Sequence, residues 1–169
     1  MELVTLLQQR KEAILQRALT ETISRYPAEA SGFIEKEGDR FQNPVGFTLQ
    51  LGMKVTLDGI LGDSDPYGLR SYLENIVRIT AVQDFSPSDG LFFLTALRES
   101  LREEVGRLAT KGDVSDSRSI LAQWLQIEER IDAFFRTGFD LYMESREKVY
   151  QIRLEEMRSA YSYVRYNKR

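Results

Sequence analysis

The sequence predicts an all-α fold that ends in one long C-terminal helix. Three observations predict it. Apolar residues recur at helical spacing in every long segment, and no window alternates for long enough to make a strand. Each of the four prolines stands just ahead of a helical pattern. From Asp116 to Asn167 there is no proline and a single glycine, Gly138.

The elements follow in order. A first helix is predicted over Leu3–Arg25, with Leu7, Ile14, Ala18, Leu19 and Ile23 on one stripe. Tyr26-Pro27 opens a short helix over Ala28–Lys36. Asn43-Pro44 opens the next, Val45–Leu61, where Val45, Leu49, Met53, Leu57 and Ile60 share a face. Phe47, Leu51 and Val55 lie outside that face, so wide burial is expected, with Gly62 as the C-terminal cap. Asp65-Pro66 precedes Tyr67–Val82, which turns Leu69, Tyr72, Leu73, Ile76 and Val77 inward. Ser86-Pro87-Ser88-Asp89 resembles a capping box ahead of a helix over Pro87–Thr110.

The last helix carries two apolar registers. Ile120, Trp124, Ile127, Ile131, Phe134, Gly138 and Leu141 follow coiled-coil spacing. Tyr150, Leu154, Met157, Tyr161 and Val164 form a second seam, roughly 200° around the helix. Uninterrupted, the helix is roughly 75 Å long, against about 40 Å for a compact domain of this size. It must therefore break, near Gly138 or Tyr142–Arg146, or project. A projecting end exposes the second seam to a second copy or a partner, whereas a broken one folds back onto the core.

Composition excludes much chemistry. The 169 residues include no cysteine and no histidine. Disulfides, thiolate nucleophiles, imidazole bases and His-ligated haem or metal are thereby ruled out. No cofactor or metal is expected. The net charge of −3 offers no global attraction to nucleic acid or anionic membrane. No apolar run approaches the roughly 20 residues that cross a bilayer. Arg10 and Lys11 follow Glu2, the reverse of a secretory signal, so a cytoplasmic protein is the expectation.

Several constellations invite chemistry, each beside a plainer reading. Glu103, Glu104, Glu128, Glu129 and Asp132 suggest a carboxylate site, but solvated helix surface explains them without the Glu-x-x-His pattern of bundle metal sites. An enzyme working on Glu103, Glu104 or Glu128 is accordingly the weakest reading, with no catalytic residue assigned. The Asp63-Ser64-Asp65 turn between Gly59, Gly62 and Gly68 is an ordinary loop. Glu144–Arg169 carries seven basic and four acidic residues, which mixed charge on an exposed helix explains without nucleic acid or lipid. Phe33, Phe41, Phe47, Phe85, Phe92, Phe93, Trp124, Phe134, Phe135 and Phe139 make either core or the walls of an apolar-ligand pocket. Two polar segments, Lys36–Gly46 and Arg78–Ser88, are unusual for pure scaffold. An Arg78–Asp84 or Lys36–Asp39 pair would give them a structural role.

These two segments resemble a known family. Arg-Phe-x-Asn-Pro-Val-Gly at Arg40–Gly46 and Val-Arg-Ile-x-Ala-Val-Gln-Asp-Phe-Ser-Pro-Ser at Val77–Ser88 are similar to the N-terminal domain of RsbT co-antagonist proteins of the RsbRD type. Tyr26-Pro27, Phe33, Leu97-Arg98-Glu99 and Arg102-Glu103-Glu104 resemble it too, so the likeness is strongest over Ile14–Val105. The resemblance implies a non-catalytic signal-input domain of bacterial stress regulation: globin-like, haem-free, dimeric, and joined through a linker helix to a STAS domain. The residues after Asp116 read as helix and cannot form the sheet of a STAS domain. A sensor or adaptor working through protein partners is therefore expected.

The expected organisation is one domain over residues 1–169, with a core over 1–141 and a helical extension over 142–169. Arg40, Asn43, Arg78, Gln83, Asp84, Phe85, Ser86 and Trp124 are the candidate ligand or partner residues, Phe85 and Trp124 as pocket walls. Tyr150, Leu154, Met157, Tyr161 and Val164 are the candidate dimer or partner seam. The expected partners are a second copy and a protein of a regulatory pathway, with no nucleic acid and no membrane. The competing reading is a helical protein that binds a lipid-like small ligand.

Overall fold

The computed structural model describes residues 2–36, 41–62, 66–83, 85–111 and 117–166, all helix, turn or connection, with no strand among them. The described residues form α1 (Leu3–Gln9), α2 (Lys11–Ile23), α3 (Ala28–Ile34), α4 (Pro44–Leu61), α5 (Pro66–Val82), α6 (Pro87–Gly90), α7 (Phe92–Lys111) and α8 (Ser117–Tyr166).

The prolines do what their positions predict: Pro44, Pro66 and Pro87 open helices, and Pro27 precedes α3. The Asn43 side chain caps α4 by accepting from the Gly46 N–H at 2.9 Å. Gly62 closes α4 with φ 87°, a left-handed conformation that glycine adopts without a Cβ penalty. Ser86 caps α6, accepting from the Asp89 N–H while its hydroxyl donates to the Asp89 carboxylate at 2.7 Å.

Two expected helices are each divided in two. Leu3–Arg25 bends at Arg10, where the Arg10 N–H bonds Leu7 O at 3.0 Å in a tighter turn. No Gly or Pro stands there. The bend carries buried Leu3, Leu6 and Leu7 onto α4, α7 and α8, and the Leu3 N–H reaches Gln123 Oε1 at 2.8 Å. Pro87–Thr110 is interrupted at Leu91, just after Gly90. A Cβ on Gly90 would lie 2.8 Å from the Tyr142 ring and 3.0 Å from Thr80 Oγ1, so bare backbone is what lets α5, α6 and α8 meet.

The core is built from pairs: α2 on α7, α4 on α5, and α5 on α8. Helices α2 and α7 run antiparallel, because Arg25 meets Phe92 at one end while Arg17 meets Ser100 and Glu104 further along. Buried Ile14, Leu57, Ile76, Val77, Leu97, Leu101 and Ile131 belong to one apolar cluster. Gly52 lets α4 approach α5, where a Cβ would stand 2.4 Å from Ile76 Cδ1.

Helix α8 is one uninterrupted helix of 50 residues. Gly138 does not break it; a Cβ there would meet Leu91 at 3.1 Å and Leu94 of α7 at 3.5 Å, so the glycine serves the close approach to the start of α7. The packed part of α8 runs through buried Leu141, Tyr142 and Ser145 to Arg146, which is past the expected limit of the core at Leu141. From Tyr150 to Tyr163 every residue is exposed. The helix projects rather than folding back.

Candidate functional site

A groove of about 910 Å³ opens where the end of α2, α3, the start of α4 and the segment after α5 converge. Tyr26, Pro27, Ala30, Ile34, Val45 and Phe85 give it apolar walls, and Arg25, Glu29 and Gln83 stand at its rim. Its frame is rigid for a local reason. The buried Asn43 amide donates to Ile34 O at 3.1 Å and Lys36 O at 2.9 Å, tying α3 to α4. Gly46 makes that possible, since a Cβ would sit 2.6 Å from Ile34 O.

Tyr26 is the unusual residue. Its side chain is 7% exposed and its ring lies 5.1 Å from the Phe85 ring. The hydroxyl is buried with no hydrogen-bond partner in the protein. Burial pushes its pKa up from 10.0 to about 12, so it stays protonated, a donor, through the physiological range. The other described buried side-chain polar atoms without hydrogen bonds belong to Arg17, Asp58 and Arg98, all of which are ion-paired.

Phe85 links the groove to α8. Its carbonyl accepts a hydrogen bond from the Tyr142 hydroxyl, and the Arg146 guanidinium donates to Ala81 O at 3.0 Å. Both anchors sit where α8 leaves the core.

Of the candidate residues, Asn43, Gln83 and Phe85 meet at this groove. Arg78 faces elsewhere, pairing with Glu74 at 2.6 Å on the exposed side of α5. Ser86 is the α6 cap, and partly buried Trp124 packs on the core away from the groove. Arg40 and Asp84 lie outside the described residues, and with them the Arg78–Asp84 and Lys36–Asp39 pairs. The aromatic residues do not share one cavity: Phe93 is core, Phe41 is 91% exposed, and Phe85 alone of the described ones lines the groove. The groove's key hydroxyl was not among the candidates, because nothing in a sequence marks a tyrosine as unpartnered.

Two of the carboxylates, Glu104 and Glu128, differ from expectation. Glu104 is buried and pairs with Arg17 at 3.0 Å, with Arg107 at 3.5 Å and Arg10 at 4.0 Å beside it. Glu128 is held by Arg98 at 2.9 Å and Arg102 at 3.1 Å, and Asp132 by Arg98. Buried Glu104 thus joins α2 to α7 and half-buried Glu128 joins α7 to α8, while Glu103, Glu129 and Asp132 are exposed as expected. Among the described residues no cluster of acidic groups could hold a metal ion.

The chain matches the family model of the RsbT co-antagonist protein rsbRD N-terminal domain over residues 12–157. It belongs to that family. No curated protein and no solved structure matches it. For an rsbRD N-terminal domain the matched span is informative. It reaches well beyond the Ile14–Val105 stretch that carries the recognisable motifs, and takes in the groove, both anchors and the projecting helix as far as Met157. It is a regulatory, stress-response domain family. No described helix is long and apolar enough to cross a membrane.

The outer face of α8 completes the description of this rsbRD N-terminal domain. Leu121, Phe139 and Met157 are spaced about five turns apart, as are Leu125, Met143 and Tyr161, so each set shares a face. All six are exposed, and Tyr150 and Leu154 fall between them. The seam on the projecting part therefore continues along the domain itself, opposite the face that buries Ile127, Ile131 and Leu141. In the middle of the stripe stand Glu128 and Asp132, with the arginines that pair them. The side chain of Val164 lies outside the described residues.

Proposed function

We propose that the chain is a non-catalytic, cytoplasmic signal-input domain that works as a homodimer through the outer face of α8. The observation that carries this is the exposed apolar stripe of Phe139, Met143, Tyr150, Leu154, Met157 and Tyr161 on an unbroken helix. Such a row at coiled-coil spacing is stable in water when a like helix covers it. The occupant we assign is a second copy, with the two α8 helices parallel and in register. The globin-like, haem-free arrangement of the wider group belongs to the same reading, and with no histidine the chain offers haem iron no imidazole.

Signal then reaches protein partners as a shift of α8. Tyr142 and Arg146 couple the helix to residues 81–85, so contacts made at that segment differ between two positions of the helix. Absence of catalysis is supported by the arginines that occupy Glu104, Glu128 and Asp132.

The native chain has no cysteine, which makes the test clean. Leu154→Cys in the full chain is expected to give a disulfide-linked dimer under mild oxidation. Ser159→Cys, on the opposite face of the helix, is expected to stay largely monomeric on a denaturing gel. Equal cross-linking at both positions, or none at Leu154→Cys, contradicts the interface.

A further inference from the structure

We propose that the groove between α2, α3 and α4 is a binding site for a neutral, mostly apolar small molecule that carries a carbonyl oxygen. It is the input end of the domain, and to that extent the inference rests on the regulatory reading above. Three features define the class of ligand. The walls are apolar and the volume, about 910 Å³, lies in the range of ligand sites between helices. The charged groups stand at the rim, and Arg25 is engaged there, its guanidinium 3.9 Å above the Phe92 ring and 3.8 Å from Asp89. An anionic ligand would thus find no unengaged cation among the described lining residues, whereas an apolar one displaces water from the walls.

The third feature is the Tyr26 hydroxyl. A buried donor without a partner is uncommon in a folded protein, and where it occurs beside a cavity it marks a place for an acceptor. The Asn43 amide cannot compete for that acceptor, because its oxygen and nitrogen are already bonded to Gly46, Ile34 and Lys36. The hydroxyl is buried from solvent, so a ligand's carbonyl meets it as the whole Tyr26 side chain swings about its Cα–Cβ bond toward the groove. That ring packs on Phe85, whose carbonyl holds Tyr142 of α8. Occupancy of the groove is therefore felt at the point where α8 leaves the core.

The probe is prodan, a neutral naphthyl ketone whose emission shifts when its carbonyl accepts a hydrogen bond. Titrated with the full chain, it is expected to bind saturably, one per chain. Ala30→Trp fills the groove from α3 and is expected to weaken binding at least about ten-fold. Tyr26→Phe keeps the shape and removes the donor; binding should fall about five-fold, with emission moved to the blue. No saturable binding overturns the inference. So does unchanged affinity in Ala30→Trp, or unchanged affinity and emission in Tyr26→Phe, which is near-isosteric and keeps the test valid if Ala30→Trp fails to fold. Failure of these arms with Leu154→Cys still cross-linking removes the ligand site alone. Binding as expected without cross-linking removes the dimer reading alone.

Discussion

Tyr26 and Arg17 are where single side chains matter most. The Tyr26 phenol is held neutral by burial, with a folded pKa near 12 against 10.0 when exposed. The folded chain therefore keeps its proton where the unfolded chain loses it. Stability from this group is whole below about pH 10 and declines as pH rises toward 12. Tyr26→Phe is expected to flatten that alkaline decline in urea unfolding midpoints. It should also leave stability at neutral pH equal or up to about 1 kcal/mol higher, because the unpaired hydroxyl is gone. A steeper alkaline decline contradicts this. Arg17 neutralises buried Glu104 and also bonds Ser100 O at 3.2 Å. Arg17→Ala is expected to cost about 2 kcal/mol, less than for a fully isolated buried pair because Arg107 remains beside Glu104. Chemical denaturation measures it, and a cost near zero would mean that α2 and α7 do not depend on the pair.

Among the elements, α8 is decided by its anchors. Tyr142→Phe removes the hydroxyl that Phe85 O accepts and leaves that carbonyl unpaired, at a cost of about 1–3 kcal/mol. The same substitution is expected to speed hydrogen exchange of the Ala81–Gln83 amides, read by mass spectrometry; unchanged exchange would show that α8 does not hold this segment. Gly90→Ala drives a methyl against the Tyr142 ring and is expected to destabilise by about 1–3 kcal/mol, seen as a lower Tm. Much of this scale was legible in the sequence. Proline and its capping neighbours act within a few residues, so Asn43-Pro44 and Ser86-Pro87 announce α4 and α6 directly. The 4-3 spacing of α8 likewise distinguishes its inward from its outward register. The bend at Arg10 was not legible, because no local breaker causes it; contacts with α4, α7 and α8 do. The same holds for Glu104: a carboxylate in a run of charges looks solvated until its arginine arrives from another helix. The groove was legible only in part, since Asn43 and Phe85 stand in recognisable motifs while the isolation of the Tyr26 hydroxyl exists only in three dimensions.

At the scale of the whole molecule, two surfaces among the described residues carry the account. One is the groove, and the other is the outer stripe of α8, joined to it through Phe85, Tyr142 and Arg146. The proposed input role rests on such a pair: a place where something binds and an element that moves against a partner. Static light scattering of the full chain at micromolar concentration tests the central claim most directly. It should give about twice the 19.6 kDa chain mass, falling to the chain mass in a Leu154→Glu, Met157→Glu variant whose thermal unfolding is unchanged. A native chain that scatters as a monomer, or a variant that remains dimeric, would contradict dimerisation through α8.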